Sequence, residues 1–194
     1  MKEFPIIESN EIILRELELT DNDNYYDYVT DEKISSQFNF NHTEESAKNR
    51  LEELVNRYSM DNKPLVWAIS KKSNNELIGI ISIDNISFTN KNFSLACGIR
   101  KIHRGNHFAY QATQALIDYI FNNYDMHRVE LAHNTDNIAS QKTIEKLGAK
   151  YEGIARESKY YKGAFKDRKI YSILKDEWIK ENNRNESVKN ENNN

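Results

Sequence analysis

The sequence predicts an α+β domain built around one mixed β-sheet, and three observations support this. Three apolar runs, at 65–70, 77–83 and 93–100, are separated by polar stretches, which is typical of consecutive antiparallel strands. The following segment, 105–123, changes to a helical period. A strand at 128–132 and another helix come next, and a strand–helix–strand unit requires parallel strands. Both kinds of pairing are therefore expected in the sheet.

The elements before the first apolar run are a strand and two helices. Residues 11–17 form a short β-prone run, and the polar residues 20–23 after it are typical of a helix start. A second helix begins at Thr43 and is expected to end before Asp61. Its apolar positions recur at helical spacing, and they are Ala47, Leu51, Leu54, Val55 and Tyr58.

The second half of the chain contains its clearest helix. One stripe of segment 105–123 carries Phe108, Ala112, Ala115, Leu116, Tyr119 and Ile120. After the strand at 128–132, Asn137 or a neighbour caps a short helix that closes at Gly148, where a left-handed residue is expected. Strands near 150–160 and 169–174 complete the domain.

The end of the chain differs in composition from the rest. From Glu181 onward only one of fourteen residues is apolar, which is too little burial to offset chain entropy. The sequence therefore predicts one domain over residues 1–182 and a disordered polar tail over residues 183–194.

Composition excludes several classes of protein. The formal charge of −3, from 27 basic and 30 acidic residues, gives no nucleic-acid footprint. No apolar run approaches the roughly 20 residues of a membrane span, and the N-terminus lacks a signal-peptide core. Cys97 is the single cysteine, and the five histidines show no metal-ligand spacing. We expect a cytoplasmic protein, a monomer or homodimer, without a metal, a nucleic-acid partner or a membrane partner.

The stretch 99–109 has the character of an anion site. A β run turns through a basic loop containing Gly105 into the clearest helix, and backbone N–H groups at a helix N-terminus bind phosphate groups. Lys101 and Arg104 add mobile positive charge. The alternative is an ordinary loop whose basic side chains are solvated.

A second group of polar residues follows the strand at 128–132. Asn137 and Ser140 are three residues apart, so they share one side of a helix start and together address one extended ligand. The alternative is that Asn137 only caps the helix and that Ser140 is a spare hydroxyl.

Together these two groups resemble the GCN5-related N-acetyltransferase (GNAT) superfamily, in its branch of RimJ- and RimL-type ribosomal-protein acetyltransferases. The resemblance covers about residues 10–180. Its landmarks are Glu11–Arg15, Leu77–Ile81, Arg104–Ala112, Asn137–Ser140, Lys146–Gly148, Tyr151–Glu157 and Asp167–Leu174.

The resemblance implies a mostly antiparallel sheet of about seven strands, flanked by about four helices and splayed between strands 4 and 5. Acetyl-CoA would be the cosubstrate, with its pantetheine arm in the splay. Cofactor binding would fall to Cys97, Ile99, Arg104, Gly105, Asn106, His107, Phe108, Ala109, Asn137 and Ser140. Ser140 would also be catalytic, as the proton donor to the leaving thiolate.

The chain departs from the family pattern at several positions. Ile102 and His107 occupy loop positions where the family usually has Gln or Arg and Gly or Ala. A β-carbon at position 107 is tolerable only if that residue keeps φ negative. The strand before the loop carries Ser94 and Cys97 where relatives often have a Glu and an aromatic residue.

The chemistry of amine acetylation requires a neutral nucleophile. About 14% of an α-amine is neutral at pH 7, against about 0.04% of a lysine-type amine, so α-amines are favoured when no strong base is visible. Glu157, beside Arg156, is the second catalytic candidate, as the base, with a surface salt bridge as the alternative. Cys97 has no assignable His and acid partner, which favours packing in the core over a nucleophilic role.

These inferences predict an N-acetyltransferase that acts on a primary amine, foremost the N-terminal α-amine of a protein or peptide such as a ribosomal protein. One alternative is a small-molecule acetyltransferase for a polyamine, an aminoglycoside or a toxin amine. The other is a non-catalytic acyl-CoA-binding module.

Overall fold

A computed structural model describes residues 4–35, 43–60, 65–161 and 163–180. The predicted polar tail, residues 183–194, lies outside these ranges. The described residues form one eight-stranded sheet in the order β1-β2-β3-β4-β5-β6-β8-β7. The strands are β1 (Ile7–Glu8), β2 (Ile12–Arg15), β3 (Val66–Lys71), β4 (Leu77–Ser87), β5 (Asn92–Ile99), β6 (Arg128–Asn134), β7 (Lys150–Tyr161) and β8 (Ala164–Leu174).

Helices cover both faces of the sheet. They are α1 (Asn22–Thr30), α2 (Glu32–Ser35), α3 (Glu44–Arg57), α4 (Phe108–Asn123) and α5 (Ile138–Lys146), and residues 175–180 are helical as well. Single 3-10 turns precede α1, at Leu19–Asp21, and α4, at Lys101–His103. No helix in the described ranges combines the length and apolar character that crossing a bilayer requires.

The predicted mixed sheet is confirmed. All neighbouring strands pair antiparallel except β5 and β6, which are parallel and are connected through α4. The sheet has eight strands rather than about seven because β1 adds a two-residue strand at one edge. With that strand discounted, β5 and β6 are the fourth and fifth strands of the predicted order.

The helix ends follow the predicted capping residues. Thr43 caps α3 by accepting a hydrogen bond from the Ser46 N–H, and Asn137 caps α5 by accepting one from the Ser140 N–H. Gly148, just after α5, has a φ of 77° and so supplies the left-handed stop. The helix α4 begins at Phe108, three residues later than the start of its sequence pattern, and the residues between form the loop described below.

The contact between α1 and β5 depends on a glycine. A Cβ at Gly98 would lie 2.5 Å from the Tyr28 hydroxyl oxygen and 2.8 Å from Ile34, so only glycine lets these side chains approach the strand. On the other face of the sheet, Phe93 packs edge-to-face against Phe121 of α4 at 5.7 Å between ring centroids. The strand β5 is thereby fixed between α1 and α4.

Candidate active site

The strands β5 and β6 pair over only three residues. The pairs are Asn92 with Arg128, Phe93 with Val129 and Ser94 with Glu130, although β5 continues to Ile99 and β6 to Asn134. Over those further residues β5 stays paired with β4, and β6 stays paired with β8. A gap therefore opens between the two parallel strands, closed at Ser94 and open at their carboxyl ends.

One edge of this gap presents unpaired main-chain groups of β5. The Arg100 N–H donates to the Ile78 carbonyl at 2.8 Å, which directs the main-chain groups of the even-numbered residues toward β4. Main-chain N–H and C=O groups of successive strand residues point in opposite directions. Those of Leu95, Cys97 and Ile99 therefore point into the gap. The Ser94–Glu130 pair engages the Leu95 N–H with the Glu130 carbonyl, and the Ile99 carbonyl accepts from Arg104 Nε at 2.9 Å. The Leu95 carbonyl, both main-chain groups of Cys97 and the Ile99 N–H have no described partner there. Leu95 was not predicted as a site residue, although the two-residue period from Cys97 indicates it.

The loop at the open end of the gap has two left-handed residues. Gly105 has a φ of 87° and His107 a φ of 59°. The condition stated for position 107, a negative φ, is therefore not met, and histidine is among the residues that adopt the left-handed conformation more often than most. Because the first bond within α4 runs from the Gln111 N–H to the His107 carbonyl, the N–H groups of Phe108 and Ala109 lack a helical acceptor. These groups and the helix dipole make the loop attractive to an anion.

Arg104 does not supply the mobile charge predicted for it. Its Nη2 donates to Asp31 Oδ1 at 2.6 Å, and its Nε donates to the Ile99 carbonyl, so the guanidinium ties the loop to the start of α2. Lys146 of α5 instead places a cation near the start of α4, with Nζ 4.7 Å from the centroid of the Tyr110 ring. The signal for Lys146 was its place in a resemblance landmark, Lys146–Gly148.

An ionic network around the buried side chain of Arg100 holds the first turn of the loop. Arg100, with its side chain 6% exposed, donates from Nη2 to Asp27 Oδ2 at 2.7 Å, and its Nη1 lies 3.3 Å from Glu76 Oε1. His103 Nε2 lies 3.0 Å from the same Glu76 oxygen. The network connects the loop to α1 and to the turn between β3 and β4.

Replacing Glu76 by glutamine is expected to destabilise the protein in a pH-dependent way. Desolvation tends to raise the pKa of Glu76, but hydrogen bonds from Lys71 and His103 outweigh it and lower that pKa to about 2. Because the pKa of Glu76 is lower in the folded than in the unfolded state, its ionised carboxylate stabilises the fold. The stabilisation is fully present above pH 4.5 and is lost as the pH falls toward 2. Glu76→Gln should lower Tm by about 2–4 °C at pH 7, equivalent to about 1 kcal/mol, and by less at pH 3.

Thermal melts of wild type and variant at both pH values test this prediction. The matched control is Glu53→Gln, which breaks the exposed ion pair of Glu53 with Arg50 and should change Tm little. An equal drop at pH 7 and pH 3 for Glu76→Gln would contradict a role for the ionised carboxylate.

The start of α5 lies at the same edge of the sheet as the loop. The two strands are parallel, so their carboxyl ends and the N-termini of the helices that follow meet there. The Asn137 side chain accepts from the Ser140 N–H at 3.2 Å, and its amide NH₂ has no described acceptor. Ser140 is half-buried, and no described residue hydrogen-bonds its hydroxyl. Capping the helix therefore uses only part of Asn137, and both side chains retain groups for a ligand.

Cys97 is exposed, so the packing in the core that the sequence favoured is wrong. Protein atoms nevertheless surround the thiol, and this desolvation raises the pKa of Cys97 to about 12 against a lowering hydrogen bond with Thr113. Cys97 thus has accessible surface although its thiol is desolvated. Because it stays protonated at neutral pH, it is a poor nucleophile.

Glu157 lies on the hairpin beyond the carboxyl end of β6. It occupies an irregularity in β7 with a φ of 49°, and its N–H donates to Asp167 Oδ1 at 2.8 Å. The Asp167 carbonyl in turn accepts from the Thr135 N–H at 3.2 Å. The side chain is exposed, and within the described ranges it forms no salt bridge with Arg156. Among the described residues the carboxylate has no partner, and it lies near the open end of the gap rather than its closed end.

Within the described residues no group of three or more His, Cys, Asp or Glu side chains is arranged to hold a metal ion. The residues assembled at the gap are main-chain amides, helix N-termini, Asn137 and Ser140. This arrangement fits an extended ligand with amide groups and a diphosphate at one end, and pantetheine attached to a nucleotide has both.

The family model for the acetyltransferase (GNAT) domain matches residues 11–150. The chain therefore belongs to the GNAT family and is an acetyl-CoA-dependent N-acetyltransferase of that type. Among its relatives, the uncharacterized N-acetyltransferase p20 of Bacillus licheniformis is 28% identical over 168 residues, which are 86% of this chain and 94% of that protein.

Some relatives have an acceptor in their names. The ribosomal-protein-serine acetyltransferase of Escherichia coli is 28% identical over 101 residues, covering 52% of this chain and 56% of that protein. The spermidine N(1)-acetyltransferase of Vibrio cholerae is 26% identical over 129 residues, covering 66% of this chain and 74% of that protein. The first of them supports the RimJ- and RimL-like branch.

Solved structures confirm the fold. An acetyltransferase of the GNAT family from Bacillus anthracis superposes with a TM-score of 0.76 at 20% identity, over 89% of this chain and 99% of that chain. RimL, a ribosomal L7/L12 α-N-protein acetyltransferase in complex with coenzyme A, gives a TM-score of 0.74 at 17% identity, over 89% of this chain and 99% of that chain.

Proposed function

We propose that this N-acetyltransferase acetylates the N-terminal α-amine of a protein or peptide, as the ribosomal-protein acetyltransferases do. The observation that supports the proposal most is the gap between β5 and β6, whose free amide edge leads to two helix N-termini. An extended thioester arm fits such an edge as an additional strand would.

The binding assignments follow the same geometry. The backbone of Gly105, Asn106, His107, Phe108 and Ala109 holds the diphosphate, and Arg104 acts through its backbone because its side chain is engaged by Asp31. The Leu95 carbonyl, main-chain groups of Cys97 and the Ile99 N–H bond the arm, and the Asn137 amide reaches it from α5. Bound acetyl-CoA supplies an acetyl group activated as a thioester.

Catalysis then requires the chain to position the amine and to handle protons. Main-chain N–H groups of β5 that point into the gap polarise the carbonyl, in the manner of an oxyanion hole. The Ser140 hydroxyl gives a proton to the departing sulfur. Glu157 is one carboxylate available to accept the proton that the amine must lose.

The α-amine is preferred as acceptor for two reasons. Its pKa near 7.8 leaves about 14% of it neutral at pH 7, so it needs little help from a base. The similarity to a ribosomal-protein-serine acetyltransferase points to the same class. Spermidine is the second candidate, because the spermidine acetyltransferase shares more of its length with this chain.

A panel of acceptors separates these candidates. The purified protein is incubated with acetyl-CoA and either peptides with free N-termini and blocked lysines, the same peptides N-acetylated, or spermidine, and CoA release is followed. We expect release with the free peptides and none with their acetylated counterparts. Turnover of spermidine alone would replace the proposed acceptor, and turnover of no amine would favour a non-catalytic binding module.

A further inference from the structure

The closed end of the gap carries a row of polar side chains on one face of the sheet. Ser94 and Glu130 form the last pair between β5 and β6, and Ser172 of β8 pairs with Glu130 on its other side. Paired residues share a face, and the neighbours of Glu130 along β6, Val129 and Leu131, are buried on the opposite face. The Glu130 side chain is 46% exposed.

Glu130, the carboxylate in this row, accepts no hydrogen bond from a described residue, and its ion pair with Arg128 is long. Arg128 donates from both terminal nitrogens to Glu152, at 2.6 and 2.5 Å, and Ser172 donates to Glu152 as well. These bonds lower the pKa of Glu152 to about 2, and the bond from Arg128 has the largest effect. Arg128 Nη2 lies 3.8 Å from Glu130, beyond hydrogen-bond distance, and no described residue donates to the Glu130 carboxylate.

Other charged groups near this row are already engaged. Lys150, which pairs with Ser172 across β7 and β8, bonds Glu177, and Asp84 in the irregular part of β4 accepts from the Ser82 hydroxyl at 3.0 Å. Arg128 stays with Glu152. Among the described residues the Glu130 carboxylate is therefore left with a distant cation, Arg128 at 3.8 Å, and 46% of its side chain is exposed.

The length of the gap places the reacting group beside Glu130. Five residues of strand separate Ser94 from Ile99, about 16 Å at 3.3 Å per residue, which is the reach of an extended pantetheine arm. With the diphosphate at the loop after Ile99, the thioester lies at the closed end.

We propose that Glu130 binds the ammonium group of the acceptor and accepts its proton, an assignment that rests on the proposed function. Glu130 takes one proton from the ammonium, and the nitrogen lone pair forms the C–N bond to the acetyl carbon. The C–S bond breaks, the sulfur leaves with its electron pair, and it takes up the second amine proton through Ser140. Glu130 then releases its proton to water, so that one ammonium and one thioester yield one amide, one thiol and one proton.

The test compares wild type with Glu130→Gln on an acetylatable peptide from pH 6.5 to 9.5. At pH 7 the variant should lose roughly 10- to 30-fold in kcat/KM for the peptide, because it neither pairs with the ammonium nor accepts a proton. The difference should shrink above pH 8, where the α-amine is already neutral. The Kd for acetyl-CoA should change less than twofold.

Two further variants make the result specific. Glu130→Asp keeps the charge and should retain more activity at pH 7 than Glu130→Gln, whereas Glu53→Gln on α3 removes a distant carboxylate and should match wild type. Full activity of Glu130→Gln at pH 7, or a loss that is the same at every pH, would overturn the assignment. Absence of wild-type turnover with every amine would instead remove the proposed function and this inference with it.

Discussion

Replacing Gly105 by tryptophan is expected to raise the Kd for acetyl-CoA by at least about 100-fold, or about 2.7 kcal/mol. Gly105 has a φ of 87°, and a Cβ built on it meets no protein atom within 4 Å, so the space beside it is open for a ligand. An indole ring there would occupy the place proposed for the diphosphate and would disfavour the backbone conformation that aims the loop amides. Isothermal titration calorimetry measures the effect.

The chain offers a matched control in Gly148. It has a φ of 77° and equally open space around an added Cβ, but it lies at the carboxyl end of α5 rather than in the loop. Gly148→Trp should carry a similar backbone strain and leave acetyl-CoA binding within a few-fold of wild type. Comparable losses of binding in both variants would attribute the effect to strain and would argue against a diphosphate at Gly105.

Replacing Ser140 by alanine is expected to lower kcat by about 100-fold, with the Kd for acetyl-CoA nearly unchanged. The hydroxyl is half-buried at the first turn of α5 and has no described protein partner, so it is available to a departing thiolate. General acid catalysis by one positioned group contributes about this factor. Steady-state rates with a saturating acceptor and calorimetry with acetyl-CoA separate the two parameters.

A second variant distinguishes proton donation from structure. Ser140→Cys keeps a group that gives up a proton, since a thiol has a pKa near 8.5, and should recover part of the lost kcat. The α5 cap uses the Ser140 main-chain N–H, which both variants keep, so neither should lower Tm much. Equal losses of kcat and of acetyl-CoA affinity in Ser140→Ala would show that the hydroxyl binds rather than donates.

The fold was largely predictable because apolar residues recur at regular spacing in most of its helices and strands. The apolar stripe of α4 and the polar breaks between β3, β4 and β5 predicted a strand–helix–strand unit beside antiparallel strands, as found. The strand β1 was missed because a two-residue strand has no measurable period. The segment assigned to α4 began too early, at Gly105, although its apolar stripe begins at Phe108, where the helix starts. Gly105 and His107 precede the stripe and are left-handed.

The candidate site was predictable only where its groups are local in sequence. The cap at Asn137 and the glycine loop are local patterns, and both are present. Arg104 was misjudged because its partner, Asp31, lies 73 residues away in the sequence. The local spacing of residues around Arg104 does not indicate such a distant contact. Glu130 and Leu95 were missed because their importance follows from where β5 and β6 stop pairing.

The central claim is that the free amide edge of β5 binds the arm of acetyl-CoA. Hydrogen exchange of the backbone amides of Cys97 and Ile99, with and without acetyl-CoA, tests it most directly. The account predicts slower exchange at these two amides when acetyl-CoA is bound, whereas the amide of Arg100, already bonded to the Ile78 carbonyl, changes little. Binding of acetyl-CoA that leaves exchange at Cys97 and Ile99 unaltered would contradict it.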